Sequence, residues 1–102
     1  MLESIINDAV EVFNDEYKQG YIETLEDVRT FGRESADIYI SKLSVKDEWS
    51  LIEELNQTEP VAEFGLGEEK TLGQAITTYV ESTLAELIVR ATIKEYYERW
   101  AN

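Results

Sequence analysis

The side chains with chemistry to offer in this sequence are almost all carboxylates. Asp and Glu number 22 against nine Lys and Arg, with no His and no Cys, and the formal charge is −13 at pH 7. A Ser-His-Asp triad, a Cys-His pair and every His- or Cys-ligated metal motif are therefore beyond this chain's own residues. Two carboxylates at a workable separation suffice for glycoside hydrolysis, but among so many acids some pair always has that spacing, so the spacing discriminates nothing. The alternating acids of an EF-hand loop occur nowhere, leaving only weak divalent binding at Glu53/Glu54 or Glu68/Glu69. Gly65-Leu66-Gly67, ahead of Thr71 and Gly73, lacks both the G-x-G-x-x-G spacing and a preceding strand. Glu68 and Glu69 would repel a phosphate there, so the segment reads as a turn before a helix. The expectation is a non-enzyme with no catalytic residue, no cofactor and no dedicated metal site.

What the carboxylates can do is act together as a field. Asp8, Glu11 and Asp15, with Glu16 beside them, form one helical row. Glu23, Glu26, Asp27, Glu34 and Asp37 form a second, and Asp47, Glu48, Glu53 and Glu54 a third. Acids three, four or seven apart share a helix side at roughly 5–11 Å, which overlaps the step between phosphates on a nucleic-acid strand. Like charges at these steps destabilise a helix by a few tenths of a kcal/mol per pair, and a merely solvated face usually mixes signs. The bland reading, acidity that only keeps the chain soluble, competes with this one, although −13 exceeds the magnitude of roughly 2–8 that solubility requires. Such a field repels bare nucleic acid and anionic membrane, and its natural complement is a basic protein surface.

The elements that hold these rows are helices. Leu2, Ile5, Ile6, Ala9, Val10, Phe13 and Tyr17 recur at three- and four-residue steps and predict a first helix to about Lys18, stopped by Gly20. Thr24 with Asp27 is a capping-box pattern opening a second helix to about Lys42, with Leu25, Val28, Phe31, Ile38, Tyr39 and Leu43 inward; Gly32 predicts a kink or a close crossing. Ser44 with Asp47 opens a short third helix to about Asn56 through Val45, Trp49, Ile52 and Leu55. The run 56–69, with Pro60, Gly65 and Gly67, reads as the main loop, and its Asn56-Gln57-Thr58 sequon as part of that loop. Thr71 with Gln74 caps a last helix running nearly to the end; at about 29 residues and ~1.5 Å each it outruns its neighbours, predicting a kink or an end that pairs with another chain.

The predicted fold is thus all-α: a single acidic helical domain over residues 1–102, a small bundle of three shorter helices packed around a long C-terminal helix. Most of the aromatic residues are expected in its core. Residues 1–69 hold 18 acids and five bases, whereas residues 70–102 hold four of each, so the entire excess belongs to the first three helices and the loop. No apolar run reaches the ~18 residues of a membrane span and no basic leader precedes one, so the chain is expected to remain in the cytoplasm.

The order of features resembles the Ocr-type phage antirestriction proteins. The resemblance lies in an acidic first helix, the Leu25-Glu26-Asp27 start of the second, and its aromatic end Ile38-Tyr39-Ile40. It extends to the loop Glu63-Phe64-Gly65-Leu66 and a long last helix with Tyr79, Glu81 and Leu84. It implies a dimeric, elongated DNA mimic that occupies the DNA groove of a Type I restriction-modification enzyme, with the acids of the first two helices and Glu63 at the family's charged positions. The chain departs from that pattern at its end, where Arg90, Lys94 and Arg99 stand in place of an acidic helix and tail. A smaller mimic follows, of a size that also suits the PAM-reading site of a CRISPR effector. The rival expectation is an acidic helical interaction module or adaptor that binds through apolar anchors, with Trp49, Phe64 and Leu66 as the candidates.

Overall fold

The computed structural model describes residues 1–56 and 72–101, and among these every regular element is a helix: α1 (Leu2–Lys18), α2 (Leu25–Ser41), α3 (Val45–Asn56) and α4 (Leu72–Arg99). Of the loop expected over 56–69, all but Asn56 lies outside the described residues, with Glu63, Phe64 and Leu66 in it, and so does the Thr71 cap.

α1 forms where its apolar period predicts, with Ile5, Ala9 and Phe13 buried along one stripe. It ends as a Schellman motif: Gly20 N–H donates to Tyr17 O (3.1 Å) and Tyr21 N–H to Glu16 O (3.0 Å). Gly20 takes φ +83°, a left-handed conformation that only glycine adopts freely. α2 opens on the complete capping box. Asp27 N–H donates to Thr24 Oγ1 (3.1 Å), and the Asp27 carboxylate accepts from the N–H groups of Thr24 (3.1 Å) and Glu23 (2.9 Å). α3 is capped by Ser44, whose Oγ accepts from Asp47 N–H at 3.2 Å.

α4 is the axis of the bundle. It packs most extensively on α2, then on α1, and least on α3. Phe13 meets Phe31 and Tyr17 meets Tyr96, while Gly32 lies on Ala85 and Val89, so α1 runs parallel and α2 antiparallel to α4. Val80, Leu84 and Ile88 are fully buried on it, together with Phe13 of α1 and Leu51 and Leu55 of α3. Apolar residues surround α4 rather than forming one stripe, as a helix covered on several sides requires. Its 28 residues, about 42 Å at ~1.5 Å each, account for most of the 44 Å long axis. The helix is continuous over this length, with α2, α1 and α3 packed on it.

Gly32 makes the close crossing that its place in the sequence suggests. A Cβ at this position would stand 2.6 Å from Val89 Cγ2 and 3.0 Å from the Ala85 carbonyl oxygen. At the far end of the bundle a polar link joins α1 to α4: Trp100 Nε1 donates to Asn14 Oδ1 (3.0 Å), and Asn14 Nδ2 donates to Glu95 Oε1 (3.1 Å).

Several inward assignments are corrected. Val45 and Trp49, on the apolar period of α3, are 86% and 61% exposed, as an anchor at Trp49 requires, while Leu55 of the same set is buried together with Leu51. This rotation puts the fully buried Leu51 against the core, and Glu54 beside it accepts from the Leu2 N–H at 3.0 Å. On α2, Phe31 is buried as expected, whereas Leu25 and Ile38 are exposed and Gly32, Ala36 and Ile40 face inward. The expected aromatic core is only partly present. Tyr17, Tyr39, Tyr79, Tyr96 and Trp100 are half-buried, whereas Tyr21 and Tyr97 are exposed.

Candidate functional site

The acids divide by helix. On α4, Glu86 pairs with Arg90 (3.6 Å), Glu95 with Arg99 (3.6 Å) and Glu98 with Lys94 (3.9 Å), each four residues apart. Three of the four α4 acids are thereby balanced within the helix.

On α1 to α3 the carboxylates are largely left to solvent. Asp8, Glu11 and Asp15 are exposed along α1, with Glu16 half-buried beside them; Glu23, Glu34 and Asp37 are exposed on and before α2, and Glu53 on α3. None of these forms an ion pair within 4.0 Å. Glu26 is exposed and 3.4 Å from Arg33, the sole side-chain ion pair among the described residues of these three helices. Lys18, Arg29, Lys42 and Lys46 are also exposed and unpaired, and they dilute the acidic field without being held against any one carboxylate.

Five of the expected site acids have local work. Asp27 is turned back onto the backbone, and its bonds from the Glu23 and Thr24 N–H groups hold its carboxyl below the usual range. Glu54 caps the start of α1. Asp47 and Glu48, half-buried in the first turn of α3, stand at the positive end of its dipole. Asp8 lies close enough to Tyr39 that its charge, adding to burial, pushes the phenol up from its ordinary value. No group of three or more acids among the described residues gathers to hold a metal ion, because the rows run along helices rather than converging.

A second feature had no signal in the sequence. α1, its turn into α2, and the last turns of α4 enclose an open groove of about 790 Å³. Phe13, Tyr17, Ile22, Leu25, Val28, Ile93, Tyr96 and Tyr97 form most of its walls. Among the described residues Glu23 is the only charged one lining it. Tyr17 stacks at 4.9 Å on Trp100 and 5.7 Å on Tyr96, and Tyr96 meets Tyr97 at 5.5 Å, so the wall is a continuous aromatic cluster. The Arg99 guanidinium, 5.2 Å from the Trp100 ring centroid, covers its outer side. Helical period identifies most of these residues as apolar-face positions, but their convergence depends on the parallel placement of α1 on α4.

No helix among the described residues is long and apolar enough to cross a membrane. Comparison with protein families, with curated proteins and with solved structures finds no match to this chain.

Proposed function

We propose that this chain is a DNA-mimicking inhibitor, encoded by a phage or mobile element. Its α1–α3 shell would occupy the DNA-binding groove of a host defence enzyme, a Type I restriction-modification enzyme or a CRISPR effector. The supporting observation is the segregation of charge: three of the four acids of α4, Glu86, Glu95 and Glu98, have i,i+4 cation partners, while Asp8, Glu11, Asp15, Glu23, Glu34, Asp37 and Glu53 are exposed and form no ion pair among the described residues. A surface acidic only for solubility gives no reason for that division.

Magnitude sets the kind of mimic. Residues 1–56 hold 14 acids and five bases, a net charge of −9 on the α1–α3 shell, which over a 44 Å axis is about one charge per 5 Å, sparser than the 3.4 Å of one strand of B-DNA. One copy therefore offers the target's lysines and arginines fewer charges than a single strand of that length. This favours a compact site of a few phosphate-binding cations over a long duplex channel.

The test is competition. The inhibitor should displace DNA from its target, form no ternary complex and give no shift with free DNA. Reversal of one acid should cost about 1 kcal/mol or less, whereas joint reversal of Asp8, Glu11, Asp15, Glu34 and Asp37 should remove binding. Affinity should fall steeply from low to several hundred millimolar salt, as the Debye length shortens from roughly 10 Å at 0.1 M. A ternary complex with DNA at full affinity refutes mimicry.

The exposure of Trp49 beside Val45 favours one second reading, an interaction module anchored through α3. Under it, Trp49→Ala abolishes binding and joint acid reversal leaves it nearly intact at any salt.

A further inference from the structure

The groove between α1, the start of α2 and the end of α4 is larger than the packing of three helices requires. Its volume of about 790 Å³ lies in the range of roughly 300–1,000 Å³ typical of ligand sites. Its walls are aromatic and aliphatic, and two wall residues at its mouth remain open to solvent, Leu25 at 53% and Tyr97 at 69% exposure. Apolar side chains left in water around a preformed hollow mark a surface that is completed by something else.

The charge around the groove selects the occupant. Among the described residues no lysine or arginine lines it, whereas Glu23 does; the exposed Glu26, 3.4 Å from Arg33, follows Leu25 on α2, and the Arg99 guanidinium lies outside the wall over Trp100. An acidic occupant would meet an acidic mouth on a chain of charge −13. A neutral one would gain nothing from the field. Glu23 stands in the same lining as the apolar walls, so an occupant that uses both must carry an apolar group and a cation on one body.

We infer that this groove is the anchor site for a basic partner segment: one large apolar side chain, flanked by lysine or arginine, inserts among Tyr17, Ile22, Ile93 and Tyr96. Its flanking cations lie on Glu23 and Glu26, and a flanking guanidinium stacks on the exposed ring of Tyr97. The inference rests on the reading of the partner as a basic protein and adds what charge alone does not supply, a desolvated contact that slows dissociation.

The test uses synthetic peptides on the full chain, with affinity measured by calorimetry and location by backbone amide shifts. A short lysine-rich peptide with one central tryptophan should bind roughly tenfold or more tighter than the same peptide with alanine. Its shifts should cluster at Ile22, Leu25, Thr92 and Tyr97. A glutamate-flanked tryptophan peptide should bind far more weakly, and the monoamine tryptamine should also fall short of the lysine peptide. Tyr97→Ala, at an exposed position, should bring the tryptophan peptide down to the alanine peptide's affinity. Leu25→Lys, which places a cation at the mouth, should do the same, and unchanged helical circular dichroism in either variant excludes unfolding as the cause.

Equal affinity of the tryptophan and alanine peptides overturns the inference, as do shifts centred on Val45 and Trp49, or tryptamine binding as tightly as the peptide. These outcomes are independent of DNA competition. Selective peptide binding without displacement of DNA from a target refutes mimicry and keeps the groove, and displacement of DNA without selectivity does the reverse.

Discussion

Replacing Gly32 by alanine sets two opposite effects against each other at one position. Alanine in a helix interior is favoured over glycine by about 1 kcal/mol, so on propensity alone Gly32→Ala stabilises α2. The new Cβ, however, would stand 2.6 Å from Val89 Cγ2 and 3.0 Å from Ala85 O, where carbon contacts settle near 3.5–4.0 Å. Val89 is β-branched and rotates little, and the Ala85 oxygen belongs to the α4 backbone and cannot turn aside. The α2–α4 contact, the largest in the bundle, must therefore open. Overpacking of this kind costs about 1–3 kcal/mol, and two contacts with little freedom to yield place it in the upper half of that range. The net loss should be about 1–2 kcal/mol, at roughly 4–8 °C of melting temperature per kcal/mol for a chain of this size. Urea denaturation followed by helical circular dichroism measures it directly. Val89→Ala removes the shorter contact, so the double variant should be more stable than the sum of the singles by about 1 kcal/mol. A Gly32→Ala protein that melts at or above the wild-type temperature refutes the close-crossing argument.

Thr24→Ala, which removes the hydroxyl that caps α2, should cost about 1 kcal/mol in the same denaturation assay. Because backbone bonds hold Asp27 below its ordinary value, its stabilising effect is complete above about pH 4 and is lost as pH falls through the depressed folded value. Asp27→Asn should accordingly flatten the acid limb of the stability profile. Tyr39 has the opposite sign: burial and Asp8 keep its proton on in the folded state, so stability is intact below about pH 10 and declines as pH rises beyond it. Tyr39→Phe should remove that alkaline decline. Thr83 Oγ1 is buried with no hydrogen-bond partner, and Thr83→Val should raise stability by about 1 kcal/mol in urea.

The helices were legible because local rules act within a few residues. Gly20, Thr24 with Asp27, and Ser44 each place a boundary through backbone groups adjacent in sequence, and each forms the bonds its residue type predicts. The rotation of a helix about its own axis is less legible, because it depends on distant partners. α3 carries two overlapping apolar sets, Val45/Trp49/Ile52 and Leu51/Leu55, and period alone does not choose between them. The choice falls to packing on α1 and α4, which buries Leu51 and Leu55, with Glu54 bonded to the first turn of α1 across 52 positions of sequence. The acidic rows were legible as charge, but which of their members hold the fold was only partly so. Asp27 declares its capping role by its spacing from Thr24, whereas Glu54 gives no such sign. The groove depends on three elements meeting and leaves no mark in any one of them.

The separation of a neutral scaffold from an acidic shell bears on what each can tolerate. Burial on α4 supplies the packing, through Val80, Leu84 and Ile88 against Phe13, Leu51 and Leu55, and none of these residues is charged. The exposed acids of α1 and α2 contribute little to that packing, and their mutual repulsion opposes folding by a few tenths of a kcal/mol per neighbouring pair. Lys18, Arg29, Lys42 and Lys46 stand near them without pairing, whereas Arg90, Lys94 and Arg99 are set against acids of α4. The proposed partner is what would supply cations to these unpaired rows. The separation also means that the rows can be rewritten without touching the core, so that a loss of binding on their reversal belongs to the interface and not to the fold.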